Sequence, residues 1–249
     1  MPEALFFEIH SGLPREAPGS ESSTLRALKM LAELPPSPKI LDIGCGPGAQ
    51  SLVLARATGG KITSVDTHQP FLEEVQQRAR AAGLENSITT FNRSMDALVF
   101  PPASFDAIWC EGADYIMGVE RALHDWRKLL KPGGYLAFTD AIWLQPEAPP
   151  DLLAFWEANY PDMQNIADLL VTCALADYER CGYFVLPESD WLENYYKPLE
   201  ARIIQLREKY KDNAPALLAL DEETAEIELY RKYSDYYGYV FVVLRVPPE

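Results

Sequence analysis

Residues 40–50 of this chain read Ile-Leu-Asp-Ile-Gly-Cys-Gly-Pro-Gly-Ala-Gln. The apolar run before the glycines predicts a buried parallel strand over residues 39–43, and the leucines and valine that follow predict a helix over residues 51–57. Three glycines at alternate positions connect the strand to the helix. Glycine has no Cβ to keep a ligand away from the backbone, and a helix start offers N–H groups without intrahelical partners. This turn therefore predicts a binding site for a small ligand.

Two classes of cofactor use such a turn, and charge distinguishes them. The pattern Gly44-x-Gly46-x-x-Ala49 fits the fingerprint of nicotinamide dinucleotide binding. Asp66, about 20 residues further on, is placed to accept hydrogen bonds from a ribose. However, Asp42 precedes the first glycine by two residues and would repel a doubly anionic pyrophosphate. A ligand with ammonium and sulfonium charges suits this acid better, and an NAD-dependent oxidoreductase remains the alternative.

The segment from Asp42 to Gly48, acid-x-Gly-x-Gly-x-Gly, resembles the first motif of the class I S-adenosylmethionine (SAM)-dependent methyltransferases. A second feature typical of that family, Lys-Pro-Gly-Gly before an apolar strand, lies at residues 131–134. The resemblance covers about residues 22–140 and is to enzymes of small molecules, similar to the ubiquinone-pathway methyltransferases. It implies an α/β, Rossmann-like fold with a seven-stranded, mostly parallel sheet, the last strand antiparallel, and helical insertions near the C-terminus. A SAM-binding module without catalytic activity is a further alternative.

The resemblance implies S-adenosyl-L-methionine as the cofactor and assigns residues to it. Many relatives have Asp where this chain has Ser94, so the adenine contact is expected from Asp96, from the Met95 backbone, or from both. Acids also follow several strands, and such a rim suits a cation, because the strand ends of an open parallel sheet define its ligand crevice. The expected cofactor residues are Arg15, Asp42, Gly44, Cys45, Gly46, Gly48, Gln50, Asp66, Thr67, Ser94, Met95, Asp96 and Glu111.

Methyl transfer to a small-molecule acceptor needs alignment with the cofactor, and a general base only for some acceptors. His10 is the leading candidate for a general base because the unperturbed pKa of histidine is about 6.5. Tyr115, the second candidate catalytic residue, and Asp114 lie where members of the resembled family often contact the acceptor. Arg15 could alternatively bind an anionic acceptor.

The chain is expected to form one methyltransferase domain over residues 1–249. Residues 1–21 are rich in proline and glycine and are expected to form an irregular flap over the cofactor cleft. Residues 187–237 form an unusually long helical insert between the last two strands. The insert is expected to contact the acceptor through Trp191, Tyr195 and Tyr196, because flat amphipathic side chains line small-molecule pockets. The spacing of Tyr230, Tyr233 and Tyr237 is more typical of a core-facing helical stripe.

Composition restricts the partners. The 37 acids against 22 bases give a net charge of −15, which disfavours nucleic acid, because affinity for phosphate backbones comes mainly from Lys and Arg. No apolar run approaches the ~18 residues that a membrane span needs, and residues 1–8 do not read as a signal peptide, so a cytoplasmic location without membrane contact is expected. The four cysteines lack metal-ligand spacing, so no metal is expected. A homodimer is compatible with the sequence.

Patterns in the sequence also predict several element boundaries. Ser22 or Ser23 should cap a helix that continues to about residue 33. An amphipathic pattern predicts a helix over residues 119–130, and an apolar run predicts the fifth strand over residues 135–139.

Overall fold

The sheet is the frame of the molecule, and its strand order places the ligand crevice. The computed structural model describes residues 3–248. The strands are β1 Lys39–Ile43, β2 Lys61–Asp66, β3 Ile88–Asn92, β4 Phe105–Glu111, β5 Leu130–Trp143, β6 Gln164–Asn165, β7 Glu179–Val185 and β8 Tyr237–Arg245. Their order is β3-β2-β1-β4-β5-β8-β7, and β6 pairs with the end of β5. β8 runs antiparallel to both of its neighbours. The predicted seven-stranded sheet with an antiparallel last strand is confirmed, and the two-residue β6 is an addition.

Helices cover both faces of the sheet and extend beyond its end. They are α1 Glu3–His10, α2 Glu21–Leu28, α3 Ala49–Thr58, α4 Gln69–Ala81, α5 Val119–Arg127, α6 Pro150–Asn159, α7 Ile166–Leu175, α8 Glu188–Trp191, α9 Lys197–Lys209 and α10 Ala214–Tyr233. One π-helical turn, Leu192–Tyr196, joins α8 to α9. Within residues 3–248, no helix has the length and hydropathy of a membrane span.

The apolar character of β1 follows from its central position. Leu41 and Ile43 face a core cluster that includes Trp126 of α5, whereas Ile40 faces a second cluster that includes Leu54 of α3. Both faces of the strand are therefore buried, which explains its nearly continuous apolar sequence. The strand order reverses between β1 and β4, and in open parallel sheets such a reversal opens a crevice at the carboxyl ends of the strands.

Close packing explains the first glycine after β1. Gly44 has φ +66°, a value that L side chains rarely adopt, and a Cβ at this position would lie 2.5 Å from the Cβ of Ala113. Ala113 follows β4, so the missing side chain lets the turn after β1 approach the end of β4. The glycine pattern is thus required for packing as well as for any ligand.

Four predicted boundaries are corrected by the structure. Residues 1–21, expected to form an irregular flap, contain the helix α1. Ser20, rather than Ser22 or Ser23, caps α2 by accepting a hydrogen bond from the backbone N–H of Ser23, and α2 ends at Leu28. α5 ends at Arg127, earlier than predicted. β5 is longer than predicted because residues 135–143 pair along their full length with β8, a partner distant in sequence.

A third core cluster connects the two ends of the chain. Ile9 of α1 and Leu13 are buried with side chains of α8, α9 and α10, including Trp191 and Ile227. Arg202 of α9 donates from Nη2 to the backbone carbonyl of Glu8 at 2.9 Å. The segment predicted as a flap, of which Met1 and Pro2 lie outside the described residues, therefore packs against the segment predicted as an insert.

Candidate functional site

Two neighbouring cavities lie at the carboxyl edge of the sheet. The first, the glycine-turn cavity, has a volume of about 190 Å³ and is bounded by the turn after β1, the ends of β2 and β4, and residues 93–95. The second, the acidic cavity, has a volume of about 310 Å³ and lies between the end of β5 and helices α6, α8 and α10. The side chains or backbone that line both cavities belong to Phe6, Glu16, Ala17, Gly112 and Tyr115. Residues from the N-terminal segment and from the end of β4 therefore form a shared wall.

The structure brings ten of the predicted cofactor residues to the glycine-turn cavity. They are Arg15, Gly44, Cys45, Gly46, Gln50, Asp66, Thr67, Ser94, Met95 and Glu111. Asp66, at the end of β2, accepts a hydrogen bond from the N–H of Gly46 at 2.9 Å through Oδ2. Its Oδ1 accepts from the N–H of His68 at 2.8 Å. These bonds fix the carboxylate at the rim of the glycine turn.

Three predicted cofactor residues do not line this cavity, and the sequence-based placement is corrected for them. Asp96 lies on the surface, where its carboxylate pairs with Arg121 at 2.9 Å. A Cβ at Gly48 would point at Val75, 2.7 Å away, so this glycine serves the packing of the turn on α4. Asp42 lies behind the cavity wall and is fully buried.

Asp42 acts on the cavity through its neighbours. Its Oδ1 accepts from Gln50 Nε2 at 3.1 Å, and its Oδ2 accepts from the Ser51 hydroxyl. Gln50 itself lines the cavity. Burial raises the pKa of Asp42 to about 7, although both hydrogen bonds oppose the shift. Asp42 is therefore placed as a positioning residue for Gln50.

A buried hydrogen-bond network attaches the N-terminal segment to β4. Glu111 Oε2 accepts from Arg15 Nη2 at 2.6 Å. Its Oε1 accepts from the Thr24 hydroxyl at 2.7 Å and from Trp109 Nε1 at 2.8 Å. The Arg15 and Glu111 side chains are 8% and 2% exposed. The predicted cofactor residue Arg15 is therefore already paired with an acid, and it fixes residues 15–17 at the mouth of the cavity.

The acidic cavity has a strong excess of negative groups. Its carboxyl groups belong to Glu16, Asp114, Asp140, Glu223 and Glu226, and among its described lining residues His10 is the only basic one. Asp114 is 1% exposed. No side chain among the described residues donates a hydrogen bond to either of its carboxylate oxygens. Burial and the nearby charge of Asp140 raise the pKa of Asp114 well above its usual range.

Asp140 is the neighbour of Asp114 in this cavity. Its Oδ1 accepts from the N–H of Ala141 at 2.8 Å, and the Tyr160 hydroxyl interacts with the same carboxyl group. Burial raises the pKa of Asp140 to about 7. Two adjacent carboxyl groups that are both desolvated favour a state in which one keeps a proton or a cation lies close by.

His10 lies in the acidic cavity with a charge state that differs from the prediction. Its Nδ1 is 3.0 Å from Glu16 Oε2, and its Nε2 is 3.8 Å from Glu223 Oε1. Burial alone would lower the pKa of His10, but the attraction of these two carboxylates, Glu16 first, outweighs burial and raises it to about 9. His10 therefore carries a proton at neutral pH. This corrects its assignment as a ready general base, because an imidazolium cannot accept a proton.

The predicted acceptor residues separate into two groups. Asp114, Trp191 and Tyr195 line the acidic cavity, and the candidate catalytic Tyr115 lines both cavities. Tyr196 does not line either cavity, because its ring is buried in the third core cluster and its hydroxyl donates to Glu226 at 3.1 Å. Its expected acceptor contact is corrected to a structural role.

Sequence reasoning missed four carboxyl groups of the acidic cavity, those of Glu16, Asp140, Glu223 and Glu226. Asp140 lies within β5 but directly follows the strand predicted over residues 135–139, so the rule applied to the other strand ends could have found it. Glu223 and Glu226 lie three residues apart on α10, a spacing that also describes a solvated helix face. Their packing against α1 and α8 is what distinguishes these two cavity-lining acids from acids on a solvated helix face. Within the described part of the chain, no cluster of His, Cys, Asp and Glu is arranged to hold a metal ion.

Comparison with known proteins identifies the domain. Residues 40–134 match the family model described as "Methyltransferase domain". The chain is 33% identical over 153 residues to 2-methyl-6-phytyl-1,4-hydroquinone methyltransferase of Synechocystis sp., covering 60% of this chain and 45% of that protein. It is 33% identical over 141 residues to dimethylglycine N-methyltransferase of Parasynechococcus marenigrum, covering 54% and 50%. The chain thus spans about half the length of these curated relatives.

A solved structure shares the whole fold. A SAM-dependent methyltransferase from Geobacter sulfurreducens, solved in complex with S-adenosyl-L-homocysteine, superposes with a TM-score of 0.85 at 23% identity and covers 98% of each chain. This likeness confirms the predicted Rossmann-like methyltransferase fold. The predicted cofactor is confirmed by the matched family, which depends on S-adenosyl-L-methionine.

Proposed function

We propose that this chain, which carries a class I SAM-dependent methyltransferase domain over residues 40–134, transfers a methyl group from SAM to a small-molecule acceptor. The observation that carries the proposal is the pair of adjoining cavities with a shared wall at the carboxyl edge of the sheet. A donor in one cavity and an acceptor in the other would meet along that wall. A module that only binds the cofactor has no need for a second cavity of this size.

The glycine-turn cavity fits the cofactor in its chemistry. Asp66 offers carboxylate oxygens at the end of β2, which suit the hydroxyl groups of a ribose. Arg15 and Glu111 offer both signs of charge, which suit an amino acid portion that carries a carboxylate and an ammonium group. The turn itself lacks side chains at Gly44 and Gly46, so its backbone is open to close approach.

When bound, SAM supplies a methyl group on a positively charged sulfur, which is already a strong electrophile. The protein therefore mainly has to align the acceptor and exclude water. Tyr115 and Phe6 lie on the shared wall, where they can orient an acceptor and shield it from solvent. We further propose that residues 1–21 act as a flap, since Glu16 and Ala17 belong to the same wall. A single domain with residues 187–237 as an acceptor-binding insert remains part of this proposal, as does a homodimer.

The acceptor has to be inferred from the cavity, because the relatives differ in it. One similar relative is named for a hydroquinone and another for dimethylglycine. Identity is 33% in both cases, so sequence similarity does not choose between them.

Asp66→Asn tests the cofactor site with little change in shape. We expect the affinity for SAM, measured by calorimetry, to fall about 10- to 150-fold, because a hydrogen bond to a charged group contributes about 1.5–3 kcal/mol. Asp212→Asn, an exposed acid before α10, serves as the matched control and should bind like the parent chain. Equal affinity of both variants would remove the cofactor assignment.

Turnover distinguishes the remaining alternatives. The chain is incubated with SAM that carries a labelled methyl group and with a panel of metabolites. The label that appears in methylated metabolites is measured, and labelled methanol from hydrolysis of SAM is not counted. NAD binding without SAM binding would establish the oxidoreductase instead. Tight SAM binding with no labelled product from any acceptor class would establish a binding module.

A further inference from the structure

The acidic cavity is electrostatically matched to a cation. Five carboxyl groups line it, and the one described basic lining residue, His10, is already paired with Glu16. An anionic acceptor would face like charges in a poorly screened environment, which Coulomb's law makes costly. A neutral apolar acceptor would displace water from the carboxyl groups without replacing their hydrogen bonds.

Asp114 is the second and independent observation. This side chain is 99% buried, lines the cavity, and receives no hydrogen bond from a side chain within residues 3–248. The fully buried Thr139 hydroxyl, which also lines the cavity, has no hydrogen-bond partner among the same residues. Buried carboxyl groups without partners destabilise a folded protein, so such groups concentrate at sites where a ligand completes them. Asp114 and Asp140 line the acidic cavity and do not line the glycine-turn cavity. Their partner is therefore expected to be the acceptor rather than the cofactor.

Aromatic rings complete the environment. Eight aromatic side chains line the acidic cavity, among them Trp156, Trp191 and Tyr195. The Trp191 ring is fixed by stacking on Tyr230, with ring centroids 4.3 Å apart. Electron-rich ring faces attract alkylated ammonium groups, and the attraction is larger when water is excluded. Aromatic faces and carboxyl groups in one cavity are the combination that recognises an ammonium with alkyl substituents.

On these grounds, and resting on the proposed methyl transfer, we propose that the acidic cavity binds a small alkylamine and that the chain methylates its nitrogen. The amine nitrogen donates its lone pair to the methyl carbon as the carbon–sulfur bond breaks, and the electron pair of that bond remains on sulfur. Positive charge thus passes from sulfur to nitrogen. A tertiary amine releases no proton in this step, whereas a protonated amine must first give its proton to water or to a carboxylate of the cavity. The cavity would hold the cationic product through Asp114 and the aromatic faces.

A matched pair of probes tests the recognition of charge. Choline carries a trimethylammonium group, and its neutral isostere dimethylbutanol carries a tert-butyl group of the same shape. Both are titrated by calorimetry into the full chain saturated with S-adenosylhomocysteine, so that the glycine-turn cavity is filled. We expect choline to bind at least tenfold more tightly than dimethylbutanol. Equal binding of both probes, or no binding of choline, would overturn the inference.

The variant Asp114→Asn locates the recognition. It keeps the shape of the side chain and removes the acid that would ionise beside a bound cation, so the preference for choline should fall at least fivefold, while the affinity for S-adenosylhomocysteine stays unchanged. A merely structural Asp114 would leave the preference intact, which would contradict the proposal. Asp212→Asn is the control for the loss of an acid elsewhere and should keep the full preference.

Two measurements separate the failure of this inference from the failure of methyl transfer itself. If the parent chain binds S-adenosylhomocysteine but shows no preference for choline, the amine inference fails and the proposed function stands. If the parent chain does not bind S-adenosylhomocysteine, the proposed function fails first. Thermal unfolding confirms that Asp114→Asn is folded, and its midpoint should not fall, because asparagine at this buried position cannot acquire a negative charge.

Discussion

Removal of Arg15 should detach the N-terminal segment from the sheet. The guanidinium of Arg15 is 8% exposed and donates to a Glu111 carboxylate that is 2% exposed. Breaking such a buried pair by removing one partner generally costs about 3–5 kcal/mol, because the other charge remains buried. Glu111 would keep its hydrogen bonds from Thr24 and Trp109. We therefore expect Arg15→Met to cost about 3 kcal/mol, the lower end of that range.

Urea unfolding followed by circular dichroism measures the global free energy of unfolding, and hydrogen exchange of residues 5–19 measures the local one. The matched control is Arg56→Met. Arg56 pairs with Glu21 at 3.6 Å, and both side chains are about 60% exposed, so its loss should cost about 0–1 kcal/mol. If the N-terminal segment opens separately from the sheet, Arg15→Met reduces the hydrogen-exchange protection of residues 5–19 rather than the global free energy of unfolding.

The reasoning would be refuted if Arg15→Met and Arg56→Met behaved alike in both measurements. A loss of protection in residues 5–19, together with weaker SAM binding, would also support the flap, because Glu16 and Ala17 line both cavities. Undiminished SAM affinity in a variant with a detached segment would count against the flap.

Two further predictions concern the glycine turn and pH. Gly44→Ala should lower the free energy of unfolding by about 1–2 kcal/mol for its positive φ and by a further ~1–3 kcal/mol for overlap with Ala113, measured by urea unfolding. The control Gly83→Ala, with φ +68° and no atom within 4 Å of the added Cβ, should show only the cost of the positive φ. Equal losses in the two variants would contradict the packing argument. Burial raises the pKa of Asp140 from 3.8 to about 7, so the folded chain binds this proton more tightly than the unfolded chain. The contribution of this proton to the free energy of unfolding is complete below pH 3.8 and is lost as the pH rises to about 7. We expect the thermal midpoint of the ligand-free chain to fall between pH 5 and 7 and to fall less in Asp140→Asn; an unchanged slope in the variant would contradict the assignment.

The sequence by itself predicted the sheet and most of the residues that line the glycine-turn cavity. A continuous apolar run, three glycines and a following helix are local signals, since each depends on residues close together in the chain. Asp66 and Glu111 could be located from the same rule, because the carboxyl ends of neighbouring parallel strands meet at one edge. These residues line the glycine-turn cavity as the sequence predicted.

The burial of Asp42 could not be predicted from the residues near it in the sequence. Its position at the end of β1 indicated an acid near the cofactor, but Ser51 and Gln50 of α3 enclose it behind the cavity wall. A strand position determines which end of the sheet a residue occupies. Which neighbours cover its side chain depends on how the following helix packs.

Only the tertiary structure assembled the acidic cavity. His10, Asp114 and Asp140 are far apart in sequence from Glu223 and Glu226, and α1 and α10 meet in the third core cluster rather than through any local pattern. The meeting of α1 and α10 also brings Glu223, more than 200 residues away in the sequence, to within 3.8 Å of His10. Glu16, which lies close to His10 in the sequence, remains the larger cause of the raised pKa of His10. Charge states and ligand-shaped spaces depend on distances between side chains, and those distances are set by packing of the complete chain rather than by the order of its residues.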